Sequence, residues 1–313
     1  MKRFLIPLAL AGLIQGAGTA AAAEKLTVLL DWFVNPDHAT LIIAEEMGYF
    51  KDHGLEVEMI APADPNDPPK LVAAGKADLA ITYQPQLHMQ VDAGLPLKRI
   101  ATLVATPLNS LVVLEDGPIK SLADLKGRKI GYSIGGFETA LLSKMLEPHG
   151  ITIDDVTLIN VNFSLSPSLL AGQVDAVIGA FRNFELNQMD IEERPGRAFY
   201  PEEEGVPAYD ELIIVANSDK LEDVRLKPFV DALEQAVQYL VNHPEESWKL
   251  FIKHNKGLDD ELNRRSFAAT LPRFALRPAA LDRGRYDRFA AFLMEQGLIR
   301  DAKPSKDYAV VID

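Results

Sequence analysis

Apolar and polar positions follow two rhythms along the chain. Short apolar runs rich in branched aliphatic residues predict strands at 26–31, 55–60 and 77–82. Between them, apolar residues spaced three and four apart predict helices over 38–52 and 67–75. Gly54 and Gly75 follow these helices, where a residue free to take positive φ closes the last turn. The same order returns downstream, with strands predicted at 128–133, 156–160 and 174–179 and helices at 137–149 and 166–172.

The return is visible in the residues themselves. Leu71–Ile81 reads onto Leu169–Ile178, with Gly75 and Gly172 97 positions apart and Asp78 and Asp175 equally spaced. His53-Gly54-Leu55 matches His149-Gly150-Ile151 at an offset of 96. Such self-similarity fixes architecture. Strands alternating with helices predict parallel sheets covered on both faces and wound right-handedly, one per copy. Two further apolar strands, 108–114 and 211–216, are placed to carry the chain from one α/β lobe to the other and back. Amphipathic spacing over 227–242, 244–254, 259–270 and 285–296 predicts helices that complete the first lobe. The proline-rich segment 61–69 reads as a loop. The expected division is residues 24–113 and 214–313 for lobe 1 and 114–213 for lobe 2.

Charge and composition narrow the chemistry. The 313 residues carry 32 Lys+Arg against 45 Asp+Glu, a net charge of -13, which argues against nucleic acid as a partner. With no cysteine there are no disulfides, thiolate metal sites, cysteine nucleophile or lipid-modified cysteine. Met1-Lys2-Arg3, the apolar run Phe4–Leu13 and the small residues up to Ala23 form a secretory signal, residues 1–23, with cleavage after Ala23. The run is shorter than the ~20 residues a spanning helix needs. Loss of Lys2 and Arg3 with the signal would move the net charge from -13 to -15. The expected location is the periplasm, without a lipid anchor.

In open α/β sheets, ligands sit beyond the carboxyl ends of the parallel strands. Four such ends are legible: the loops carrying Asp31, Trp32, Asn35 and His38; Tyr83 and Gln84; Ser133, Gly135, Phe137 and Glu138; and Phe181, Asn183 and Glu185. Phe33 and Phe184 lie in the same segments and read as core packing. Aromatic faces with carboxylates and little basic charge suit a flat, nitrogen-bearing ring, because an in-plane carboxylate accepts N–H bonds from an exocyclic amine. Gly131-Tyr132-Ser133-Ile134-Gly135 also matches the hydrolase nucleophile elbow G-x-S-x-G, a competing reading in which Ser133 is catalytic. The six histidines show no metal spacing, and no cofactor is expected.

Three segments carry a resemblance: Leu30-Asp31-Trp32-Phe33-Val34-Asn35-Pro36-Asp37-His38, Ala44–Leu55 and Leu122–Tyr132. They resemble the thiamine-pyrimidine family, which includes periplasmic solute-binding proteins of ABC importers and a fungal pyrimidine synthase. The resemblance implies a type II periplasmic-binding-protein fold, two α/β lobes joined by two crossover strands with the ligand cleft between them. It implies that Trp32 and Phe181 sandwich a ring, that Glu185 holds an aminopyrimidine, and that Asn35 and Tyr83 support it. The synthase members carry a cysteine-rich motif and a lysine just after the third strand. Here there is no cysteine, and Ile81-Thr82-Tyr83-Gln84-Pro85-Gln86 has no lysine. The resemblance therefore implies a non-enzymatic monomer that captures a hydroxymethyl- or formylaminomethyl-aminopyrimidine, a thiamine precursor, and hands it to an ABC permease. A binder of another planar heterocycle such as riboflavin, or a secreted serine hydrolase, are the alternatives.

Overall fold

A computed structural model of the protein describes residues 23–312. The expected signal segment lies outside the described residues, apart from Ala23. Among the described residues, ten strands run in chain order: β1 Glu24–Leu29, β2 Leu55–Ile60, β3 Leu79–Thr82, β4 Leu97–Val104, β5 Asn109–Leu114, β6 Lys129–Tyr132, β7 Thr157–Asn160, β8 Ala176–Phe181, β9 Gly196–Phe199 and β10 Leu212–Asn217. They form two five-stranded sheets, ordered β2-β1-β3-β10-β4 and β7-β6-β8-β5-β9.

The duplication governs three strands of each sheet. β1 pairs in parallel with β2 and β3, as β6 does with β7 and β8. The repeated aspartates do the same work in both halves. Asp78 Oδ2 accepts the Thr27 N–H at 2.9 Å, and Asp175 Oδ2 accepts the Lys129 N–H at 2.8 Å. The expectation of wholly parallel sheets fails at the crossover strands. β10 is antiparallel to β3 and β4, and β5 is antiparallel to β8 and β9. A chain arriving from the other lobe enters at the carboxyl edge of the sheet, and so must run against the parallel strands it joins.

The expected boundary at 113/114 also moves. β5 belongs to the second sheet, so the first crossing falls between Val104 and Asn109. The return crossing falls between Phe199 and Leu212. Apolar patterning locates a strand without saying which sheet it enters.

The helices are α1 Ala39–Glu46, α2 Tyr49–Asp52, α3 Pro68–Ala73, α4 Gln84–Asp92, α5 Phe137–Leu146, α6 Leu165–Leu170, α7 Glu185–Ile191, α8 Leu226–Asn242, α9 Pro244–His254, α10 Glu261–Thr270 and α11 Arg283–Glu295. The single helix expected over 38–52 is two helices, broken at Gly48, whose φ of 77° is outside the right-handed region. Residues 36–38 form a 3-10 turn before α1. α4 had no counterpart among the predicted helices. Its Gln84, Gln86, His88 and Gln90 are buried beside Leu87 and Val91, so polar residues interrupt the apolar pattern of its inner face. Strands β4 and β9 and helix α7 were likewise unforeseen.

The carboxyl-terminal helices pack on elements of the first sheet's lobe. α8 and α9 pack on α1, and α11 packs on α4. Phe229, Leu233, Val237 and Leu240 of α8 are fully buried in the core that holds Val28, Ile81 and Ile214. Each such side chain contributes about 1.5–3 kcal/mol on burial. α10 does something further and reaches α7 in the second lobe. Among the described residues, no helix is long and apolar enough to cross a membrane.

Candidate functional site

The carboxyl ends of β1, β3, β6 and β8 meet between the lobes around a narrow cavity, with about 410 Å³ of non-atom space when the open solvent at its mouth is included. The first lobe supplies Asp31, Trp32, Asn35, Asp37 and Tyr83. The second supplies Ser133, Ile134, Glu138, Leu165, Gly179, Phe181, Phe184 and Glu185. Eight of the thirteen expected site residues therefore share one space: Asp31, Trp32, Asn35, Tyr83, Ser133, Glu138, Phe181 and Glu185.

The other five stand around it. His38 is fully buried behind Asp31, with Nε2 2.9 Å from Asp31 Oδ1 and Nδ1 accepting the Asn35 N–H. Gln84 turns to the return crossing, where its Oε1 accepts the Asp210 N–H at 2.8 Å. Phe137 is buried against Tyr83, ring centroids 5.1 Å apart, and with Gly135 borders a separate outer groove. Asn183 is buried and bridges the lobes, donating from Nδ2 to Asp37 Oδ1 at 2.6 Å and Thr270 Oγ1 at 2.7 Å.

Five lining residues, Asp37, Ile134, Leu165, Gly179 and Phe184, escaped the sequence reading, three of them for identifiable reasons. Asp37 sits in the same loop as Asp31, but the bend that turns it inward is set by the 3-10 turn, whose amino end Asn35 caps by accepting the Asp37 N–H. Phe184, read as core, lines the cavity. Gly179 carries no side chain to notice. Phe33 is also corrected: it is 53% exposed and packs on Phe163 at 4.6 Å.

The carboxyl groups are held in defined positions. Asp31 accepts from His38 and, through Oδ2, from the Tyr83 hydroxyl at 2.8 Å. Glu138 Oε2 accepts the backbone N–H groups of Ser133 and Ile134 at 2.8 and 3.1 Å. Glu185 Oε2 accepts the Phe181 N–H at 2.6 Å. Just behind the cavity, Glu211 Oε2 accepts from Leu108 and Asn109, tying the two crossings together. Burial pushes Glu138 and Glu185 up to about 8, with Glu211 and Glu185 adding to the first and Asp37 to the second. Burial likewise raises Glu211 to about 7 and Asp37 to about 6. Desolvation and the Asp31 carboxylate push the Tyr83 phenol well above its usual range.

Among the described residues, no lysine, arginine or histidine lines the space. Arg182, next to Phe181, binds Glu202 through both terminal nitrogens and lies 4.1 Å over the Tyr200 ring. The hydrolase reading fails on geometry. The Ser133 hydroxyl donates to the Asn162 carbonyl, and no histidine lines the cavity to take its proton.

Contacts across the cavity hold the lobes together. Asn66, in the proline-rich loop of the first lobe, donates to the Ser133 carbonyl at 3.2 Å and accepts the Gly135 N–H at 3.1 Å. Trp32 meets Phe163 edge-on at 4.6 Å, and Tyr83 meets Phe181 edge-on at 6.3 Å. Such pairs add about 0.5–1.5 kcal/mol beyond the area they bury.

Comparison with known proteins assigns the chain. Residues 35–247 match the family described as NMT1/THI5 like. The chain belongs to the NMT1/THI5-like family. A Haemophilus influenzae relative named for thiamine biosynthesis is 55% identical over 93% of each chain. The formylaminopyrimidine-binding protein of Halalkalibacterium halodurans is 34% identical, over 77% of this chain and 73% of its own. A Uromyces fabae protein named 4-amino-5-hydroxymethyl-2-methylpyrimidine phosphate synthase is 28% identical over 79% of this chain and 75% of its own. Among solved structures, a Candida albicans protein described as having the generic periplasmic-binding-protein fold superposes with a TM-score of 0.72, covering 93% of this chain and 97% of that one at 17% identity. The fold of this family member is that of the periplasmic binding proteins, with two α/β lobes.

Proposed function

We propose that this protein is the substrate-capturing component of an ABC importer, working in the periplasm and without catalysis of its own, and that its ligand is a pyrimidine precursor of thiamine. The observation that carries the reading is the composition of the interlobe cavity: Trp32, Tyr83, Phe181 and Phe184 beside four carboxyl groups, with no basic side chain. Ring faces stack on the aromatics, while carboxyl oxygens in the ring plane accept from an exocyclic amine. An anionic solute would meet like charge there. The relative named as a formylaminopyrimidine-binding protein supports the same chemistry. The synthase relatives carry less weight, because neither a cysteine nor a lysine lines this cavity.

Capture would follow from closure. The lobes turn about the two crossings, and the Asn66 and Asn183 bridges form together with contacts to the ring. A permease that reads the closed arrangement would then be presented with loaded protein. Calorimetric titration with hydroxymethyl- and formylaminomethyl-aminopyrimidine tests this. One-to-one binding at micromolar or tighter affinity, against none for riboflavin, is the expected result. Saturable binding of riboflavin with no heat from either pyrimidine would replace the ligand assignment.

A further inference from the structure

Trp32 belongs to the first lobe, yet its indole packs against the core of the second, the cluster that holds Leu165, Val177 and Met189. There it meets Phe163, in the turn after β7, with ring centroids 4.6 Å apart at 72°. Phe163 also lies 4.6 Å from Phe33, so one second-lobe ring sits on two neighbouring first-lobe rings. It touches the indole without itself lining the cavity. The turn is built to hold this ring in place. Asn162 takes a φ of 51°, a left-handed conformation that asparagine tolerates better than most residues, and its N–H donates to Asn160 Oδ1 at 2.8 Å. The Val161 N–H donates to the Tyr132 carbonyl and the Ser164 N–H to the Val161 carbonyl, both at 2.9 Å. The Ser133 hydroxyl donates to the Asn162 carbonyl, which gives the serine of the G-x-S-x-G segment a use other than nucleophilic attack.

We propose that Phe163 is a positioning residue for ring capture: it fixes the Trp32 indole in its stacking orientation only when the lobes are together, and Ser133 positions Phe163 through Asn162. The proposal rests on the pyrimidine-capture reading above and deepens it by coupling stacking to closure. With the lobes apart, Trp32 and Phe33 leave Phe163, the three rings face water, and the indole regains its rotamer freedom. Closure buries the rings against one another and orders the indole against which the ligand stacks. A contact made only in the closed arrangement adds to the preference for that state, and so to the affinity of a ligand that binds it.

Trp32 itself reports on this coupling. The chain has two tryptophans, and Trp248→Phe, in a first-lobe cluster with Phe251 and Phe267, leaves Trp32 as the sole indole. In that background the parent, Phe163→Ala, Phe163→Tyr, Ser133→Ala and the double variant Ser133→Ala/Phe163→Ala are titrated with formylaminomethyl-aminopyrimidine, by calorimetry and by tryptophan emission. Phe163→Ala is expected to raise Kd about three- to tenfold, the factor that one aromatic pair supplies. It should also move the emission of the ligand-saturated protein to longer wavelength and leave that of the ligand-free protein unchanged. Phe163→Tyr, which keeps the ring, should restore the parent's affinity and emission. The double variant should bind no more weakly than Phe163→Ala alone, because Ser133 acts through Phe163. Parent affinity and parent saturated emission in Phe163→Ala would overturn the inference and leave pyrimidine capture standing. Equal losses in Phe163→Tyr and Phe163→Ala would overturn the ring contact, and additive losses in the double variant would overturn the link to Ser133. No heat from the pyrimidine with either the parent or the natural sequence would overturn capture itself, and this inference with it.

Discussion

Gly179 offers the sharpest mechanical test of the cavity. It lies in β8 with φ of 98°, and a Cβ placed on it would sit 2.4 Å from Glu138 Oε1 and 2.6 Å from Cδ. Ordinary contact distances therefore demand that the Glu138 carboxyl retreat by about 1 Å. That carboxyl is pinned by the N–H groups of Ser133 and Ile134, so retreat breaks both bonds in a buried setting. Each buried donor left unpaired costs about 1–3 kcal/mol, and an alanine at this φ adds about 1–2 kcal/mol. Gly179→Ala should thus lose about 3–8 kcal/mol, a large share of the roughly 5–15 kcal/mol typical of folded proteins, and should abolish ligand binding. Urea unfolding of Gly179→Ala, Glu138→Ala and the double variant forms a cycle that isolates the clash. With the carboxylate gone, the added methyl has room, so the double variant should be more stable than the sum of the singles implies by at least about 1 kcal/mol. Additivity within about 0.5 kcal/mol would show that Gly179 and Glu138 do not meet, and the described cavity wall would be wrong.

Other consequences can be measured directly. Glu185→Gln keeps an acceptor for the Phe181 N–H but changes the group offered to the ligand, so pyrimidine affinity should fall more than about tenfold while the melting temperature changes little; unchanged affinity would remove Glu185 from the site. Asn66→Ala deletes two bonds that exist only when the lobes are together, which should weaken binding about five- to thirtyfold, mostly through faster release seen by stopped flow; wild-type release would contradict a clasp at the proline-rich loop. The ligand-free protein should grow less stable as pH rises. Glu138, Glu185 and Glu211 are raised from 4.5 to about 8, 8 and 7, so their protonated forms favour the fold below pH 4.5, and that contribution is lost as pH climbs through 7 and 8. One unit of net shift corresponds to about 1.4 kcal/mol, and each kcal/mol to about 2–4 °C. A melting temperature that stays level or rises between pH 5.5 and 8.5 would count against buried acids in the cavity.

How much of this was legible in the sequence depends on what kind of signal each feature leaves. The duplicated strand–helix units were readable because glycines and aspartates recur in register, and Asp78 and Asp175 indeed make the same bond in each half. The strand-end rule then pointed to the four loops that now surround one cavity. Direction and membership were not readable. An apolar run such as 109–114 looks alike whether it pairs in parallel or antiparallel, and in either lobe. Helix α4 escaped because its buried face mixes Leu87 and Val91 with Gln and His side chains that find partners in the fold, which breaks the apolar pattern. Within the site, side-chain type identified Trp32, Tyr83, Phe181, Glu138 and Glu185, whereas the placement of His38 behind Asp31 depends on a local turn that spacing does not encode.

The structure of the protein with a bound aminopyrimidine tests the central claim most directly. The account expects the ring inside the interlobe cavity, its faces against Trp32 and Phe181 and an amine nitrogen about 2.7–3.2 Å from a carboxyl oxygen of Glu138 or Glu185. An unoccupied cavity at saturating ligand, or a ring seated on an outer face of either lobe, would contradict it.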